Sequence, residues 1–241
     1  MLKKTVQGLL VLTALLWGSA GVQARDLFQN AQLDVYGLAG GSTIFDAQYF
    51  NSAGRLYHTR FDPDYKFSVG GAVPYNKFLS IEAGFTMGPN NLVLTNTNVF
   101  PHTSPGSVTV FPVKDYLGTL SAVVHAPWSW HHFQPYVEAG IEYDRFTPSQ
   151  SAIIEGVQHG WASTSTALIN HNDKFGFNMG LGVDRKLTKR LTFRIDARDH
   201  ITSSPAFGLP NSYNDGAIFP VKGRCNNAVY TAGFVYHLGK L

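Results

Sequence analysis

The chain has 241 residues, of which 15% are charged and 13% aromatic, with 24 glycines and a single cysteine, Cys225. That length holds one domain with a sizeable core or two small ones, and a lone cysteine excludes an internal disulfide scaffold. The formal net charge is +3; Lys3 and Lys4, in the first segment, account for two of these charges, so +1 remains and speaks against a nucleic-acid partner.

Residues 1–24 read as a secretory signal peptide. Lys3 and Lys4 precede a short apolar run from Gly8 to Trp17, and Val22-Gln23-Ala24 lies where a signal peptidase cuts. The run is shorter than the ~20 residues that an anchoring helix needs. The expected mature domain is therefore 25–241. No later segment is long and apolar enough for a transmembrane helix.

From there the dominant signal is alternation of period two, which a strand separates onto two faces and a helix would mix. Four weaker runs come first: Leu33–Gly41, Lys66–Val73, Phe78–Met87 and Lys114–His125. In the third, Leu79, Ile81, Ala83, Phe85 and Met87 oppose Ser80, Glu82, Gly84 and Thr86. The next runs are clearer. Phe133, Pro135, Val137, Ala139, Ile141 and Tyr143 oppose Gln134, Tyr136, Glu138, Gly140 and Glu142. Phe175, Phe177, Met179, Leu181 and Val183 oppose Gly176, Asn178, Gly180, Gly182 and Asp184. Leu191, Phe193, Ile195 and Ala197 oppose Thr192, Arg194, Asp196 and Arg198. Tyr230 to Leu238 closes the series. Most of these eight runs approach the ~9–11 residues with which a tilted strand crosses a membrane.

Between the runs the connections alternate in length. Pro74–Lys77, Ala126–His132 and Leu187–Arg190 are short; 42–65, 88–113, 147–173 and 202–226 are long. Structureless loops of that length are rare in compact soluble domains, whereas short turns at one rim and long loops at the other mark outer-membrane barrels. One set of faces carries Leu, Ile, Val, Phe and Met; the other carries Gly, Ser, Thr, Asn and charged residues, which suits a narrow lumen. Trp128, Trp130 and Phe133 near a short turn, and Tyr143 and Phe146 near a long loop, fit interface girdles. The fold expected is an eight-stranded antiparallel up-and-down transmembrane β-barrel in the outer membrane.

The stretch from Phe175 to Arg198, a Gly-rich strand, a short turn around Leu187-Thr188 and a strand bearing Arg and Asp, resembles the penultimate hairpin of OmpA-like and porin-family outer-membrane β-barrel proteins. As a pattern, the resemblance extends over the mature chain. It implies a fold and leaves the function open.

The candidate site is the lumen. Glu82, Glu138, Glu142, Asp184, Arg194, Asp196 and Arg198 fall on the polar faces. An eight-stranded barrel is just wide enough for its side chains to fill, and carboxylates there require guanidinium partners. A plug of ion pairs is expected, with a structural or surface-interaction role served by four large loops. The alternatives are a narrow porin-like channel and an outer-leaflet lipid A-modifying enzyme. For the enzyme, His200 at the long-loop rim would need a serine two residues on, but that residue is Thr202, and Ser203 points the other way; no catalytic residue is assigned. His125, His131 and His132 read as a polar rim and Cys225 as a thiol in or near a loop. No cofactor or metal is expected. The expected surroundings are outer-membrane lipid and lipopolysaccharide, with an unidentified ligand for the loops and a monomeric state.

Overall fold

The computed structural model describes residues 32–45, 48–52, 55–95, 108–158, 171–205, 207 and 224–240. The proposed signal peptide lies outside them. Among the described residues, twelve strands and one helix follow in chain order: β1 Gln32–Ile44, β2 Gln48–Ser52, β3 Arg55–Phe61, β4 Asp64–Pro74, β5 Leu79–Pro89, β6 Leu92–Thr95, β7 Val108–Phe111, β8 Val113–His125, β9 Phe133–Pro148, α1 Gln150–Gln158, β10 Asn172–Lys186, β11 Leu191–Ser203 and β12 Arg224–Lys240.

Eight of the strands close a barrel in the order β1-β12-β11-β10-β9-β8-β5-β4. Every neighbouring pair is antiparallel, and β1 joins the ends of the sheet by pairing with both β12 and β4. Closure satisfies the backbone of every strand internally, as a hydrocarbon environment demands. The outward residues are apolar: Phe67, Val69, Ile81, Val137, Ile141, Phe175, Phe177, Met179, Leu181 and Ile195 are all exposed. In water this band would be a large liability; in a bilayer it is the solvent-matched face.

The short connections have local reasons to turn. Asn76 Oδ1 accepts from the backbone N–H of Phe78 and Leu79, and Thr188 Oγ1 accepts from Arg190 and Leu191. Trp130 and Phe133 exchange both backbone hydrogen bonds around His131 (φ 47°) and His132 (φ 69°), the two-residue geometry whose twist matches that of flanking strands.

Two expectations change. The strands run further toward the long connections than the sequence runs: β9 reaches Pro148, β10 begins at Asn172 and β12 at Arg224. There the inner face turns apolar (Ile44, Val113, Phe146), so the alternation fades while the ladder continues. Nor are the long connections structureless. The first two supply β2, β3, β6 and β7, which form a separate four-stranded sheet, and the third supplies α1. Beneath them Phe61, Leu92, Phe111, Val113, Phe146, Ala152, Phe207 and Cys225 pack into an apolar cluster over the barrel mouth.

Candidate functional site: the barrel lumen

The register of the wall sets out the lumen. Asp184 and Arg194 are direct partners across β10 and β11, as are Gly182 with Asp196 and Gly180 with Arg198. On the other side of β10, Gly182 faces Tyr136 and Gly180 faces Glu138 on β9. The two glycines are the gap through which the β9 side chains reach β11. A Cβ on Gly182 would lie 2.3 Å from the Tyr136 ring, and one on Gly180 would lie 2.5 Å from Glu138 Oε1. Tyr136 thus leans across β10 and donates its hydroxyl to Asp196 Oδ2 at 2.6 Å. Tyr36 does the same on the opposite wall, its ring lying over Gly70 and Gly84.

Arg194 is the pivot. Its Nη1 donates to Glu82 Oε2 at 2.7 Å, while Nε and Nη2 form a fork on Asp184 at 2.8 and 2.9 Å. Its guanidinium lies between two aromatic faces, 4.8 Å from the Tyr136 centroid and 5.8 Å from that of Tyr36, within the range of a cation–π contact. Arg198 takes the remaining acids: Nη2 reaches Glu82 Oε1 at 3.0 Å and Asp196 Oδ2 at 3.2 Å, and Nε pairs with Glu138 Oε1 at 2.5 Å. All of these side chains but Asp184, which is 13% exposed, are buried, so the paired geometry is what makes their burial tolerable.

Glu82, Glu138, Asp184, Arg194, Asp196 and Arg198 are therefore brought into one network. Glu142 is a correction: it also faces the lumen, but it meets no guanidinium. Its partner is His200, whose Nδ1 lies 2.6 Å from Glu142 Oε2. His200 is buried inside the barrel, because β11 continues to Ser203 and the His200 side of it faces inward. Thr202 is buried as well, and Ser203 points outward. His125 departs from the polar rim: its Nε2 lies 3.2 Å from Asp184 Oδ2, adding it to the network.

Two layers went unread in the sequence. At the short-turn end His237 lies between Asp34 Oδ1 (2.7 Å) and Thr192 Oγ1 (2.9 Å). Toward the apolar cluster, Lys66 is completely buried and donates to Asp115 Oδ2 at 2.7 Å, an oxygen that also accepts from Asn90 (2.6 Å) and Asn227 (3.0 Å). Lys66 begins one sequence run and Asp115 is the second residue of another, and period two places both on the polar face; that was the available signal. At mid-height a cavity of about 10 Å³ touches Tyr36, Arg198 and His200, room for about one water.

Outside, Arg145 forks onto Asp173 at 2.7 and 2.9 Å beside Tyr143, above the Tyr143–Phe175 ring pair at the edge of the apolar band. The Arg145 hydrogen bonds hold the Asp173 carboxyl below the usual aspartate range.

Among solved structures, outer membrane protein OprG from Pseudomonas aeruginosa superposes with a TM-score of 0.56 at 15% identity, covering 88% of this chain and 97% of its own. Neisserial surface protein A (NspA) gives 0.49 at 12% identity, covering 87% and 97%. The likeness to OprG concerns the fold alone. No curated protein matches the chain in sequence. The family model described as the outer membrane protein beta-barrel domain matches residues 10–237. Closed ladder, lipid-facing apolar band and family match agree: the chain belongs to the outer-membrane β-barrel proteins, and its place is the outer membrane.

Proposed function

We propose that this protein is a non-conducting outer-membrane barrel that works through the surface it presents outside the membrane. The observation that carries this reading is the interlock of Arg194 and Arg198 with Glu82, Glu138, Asp184 and Asp196 across the lumen. An ion or solute entering the barrel would have to separate buried ion pairs, a step opposed by several kcal/mol per charge. The apolar cluster at the mouth adds a second seal. What remains for interaction is the outer sheet of β2, β3, β6 and β7 with its connecting segments. A ladder without a free edge suits a monomer surrounded by lipid and lipopolysaccharide, exported by a leader at residues 1–24. No catalytic role is proposed, since His200 faces the lumen and is engaged with Glu142.

Planar-bilayer recording tests the reading. The wild-type protein is expected to give no conductance steps, and Arg198→Ala, which removes contacts to three acids, to give brief ones. Steady, well-resolved steps from the wild type would overturn the plug and establish the narrow channel instead.

A further inference from the structure

The rim formed by the short connections carries a charge pattern that the lumen does not use. Lys77 stands on the first short connection; Arg185 and Lys186, at the end of β10, lead into Lys189 and Arg190 on the last, and all five are exposed. The acids at this end are already engaged, Asp34 with His237 and Asp184 with Arg194 and His125. Among the described residues, none of the five cations has a carboxylate partner. Beyond residue 24 the formal net charge is only +1, so this is a local concentration and not a general excess.

The rim is continuous around the wall. Arg185 is the register partner of Phe133 on β9 and of Phe193 on β11, and its guanidinium lies 5.2 Å from the Phe133 centroid. The backbone N–H of His125, at the end of β8, donates to the Phe78 carbonyl at 2.7 Å, which ties the second connection to the first. Lys77 Nζ lies 4.8 Å from the Phe78 centroid. β10 ends at Lys186 and β11 begins at Leu191, so Lys189 and Arg190 stand beyond both strands.

Aromatic side chains fix the height of these charges. Tyr75, Trp128 and Trp130 are strongly exposed on the same connections, and amphipathic rings of this kind mark the boundary between hydrocarbon and headgroups. Leu187, also exposed, stands among the four cations of the last connection. Long Lys and Arg stems lie along apolar surface while their charges reach the headgroup layer. A soluble polyanion would need the cations alone; the interleaved rings and Leu187 suit an occupant with an anionic head and apolar tails.

We propose that the short-turn rim is a docking surface for anionic glycerophospholipids, with their phosphates gathered by Arg185, Lys186, Lys189 and Arg190. Short turns lie on the periplasmic side of outer-membrane barrels, so the leaflet concerned is the inner one, away from the outer sheet. Each basic residue near an anionic lipid surface adds to the attraction, and salt weakens it. The surface is independent of whether the lumen conducts.

Native mass spectrometry of the protein released from nanodiscs of phosphatidylglycerol and phosphatidylcholine in equal amounts reads the lipids it retains. The wild type is expected to hold phosphatidylglycerol several-fold in excess. The combined variant Lys186→Gln, Lys189→Gln and Arg190→Gln is expected to hold the two lipids equally. Lys114→Gln removes an exposed cation near the long connections and is expected to keep the preference. Heat-modifiable migration on gels checks that each variant still closes its barrel. Equal retention by the wild type, or a preference unchanged in the combined variant, would overturn the surface. A loss in Lys114→Gln as large as in the combined variant would do the same, by tracing the preference to net charge. So would polyphosphate binding in pure phosphatidylcholine nanodiscs without any lipid preference, which would assign the rim to a soluble polyanion.

Discussion

The inner and outer halves of the lumen solve one problem differently. Toward the short turns, Arg194 and Arg198 neutralise four acids between them, and Arg194 lies against two tyrosine faces. Toward the mouth, Lys66 stands with Asp115 and Asp144 beneath an apolar lid. The guanidinium offers five donors in a fixed plane and can bridge several carboxylates at once; the ammonium is a compact point charge. An arginine layer can therefore be dense in acid and still close, whereas a lysine layer with the same acids needs another source of donors. The comparison teaches that the two halves should fail under different conditions.

The most damaging way to break the contrast is Arg194→Ala. It takes the fork from Asp184 and one of two guanidinium partners from Glu82, which keeps Arg198, and should cost about 3 kcal/mol, read by denaturant unfolding in micelles; Arg194→Lys should recover part of that, since the charge returns without the fork. If both variants melt like the wild type, the inner layer is not the stabilising one. A smaller effect is expected from Gly182→Ala. The new methyl would collide with the Tyr136 ring and with the Ile195 carbonyl oxygen 2.6 Å away, and should cost about 1–3 kcal/mol. Gly37→Ala is its control, because nothing lies within 4 Å of that Cβ position and the substitution should be close to neutral. Equal losses at the two glycines would show that the tyrosines are not held by the gaps beneath them. Smallest is Arg145→Ala, on the outside. Its pair with Asp173 is about one-third exposed, and such pairs are worth about 0.2–1 kcal/mol. With the Asp173 carboxyl held below its usual range, the contribution is present near neutral pH and disappears as pH falls through that range. A loss comparable with that of Arg194→Ala would erase the distinction between wall and plug.

Much of this was legible in the sequence because side-chain direction in a strand depends only on parity. Glu82, Glu138, Glu142, Asp184, Arg194, Asp196 and Arg198 were all placed on the lumen face by counting in twos, and the structure places all seven there. Which acid meets which base was not legible. Arg194 meets Glu82 from β5, a strand far around the wall, and that meeting depends on the stagger of the whole barrel. Glu142 fell to His200 for the same reason. Lys66 and Asp115 stood at the ends of their runs, where alternation gives the least support. The outer sheet was missed because β6 and β7 have four residues each, too short for a period to show.

The ladder between β1 and β12 also sets an order of events. Glu82 and Arg194 are 112 residues apart in the chain, and Asp34 and His237 are 203 apart. While the polypeptide is being threaded into the bilayer, Asp184 and Arg194 can pair within one hairpin, but Glu82 and Asp34 travel far from the partners that will neutralise them. They meet only when the last strand arrives and the first accepts it. Full neutralisation is thus coupled to completion: a truncated or stalled chain leaves Glu82 and Asp34 bare, whereas a finished one covers them. Contacts so distant in sequence make for slow assembly, and the same coupling makes the completed wall hard to unzip from either end.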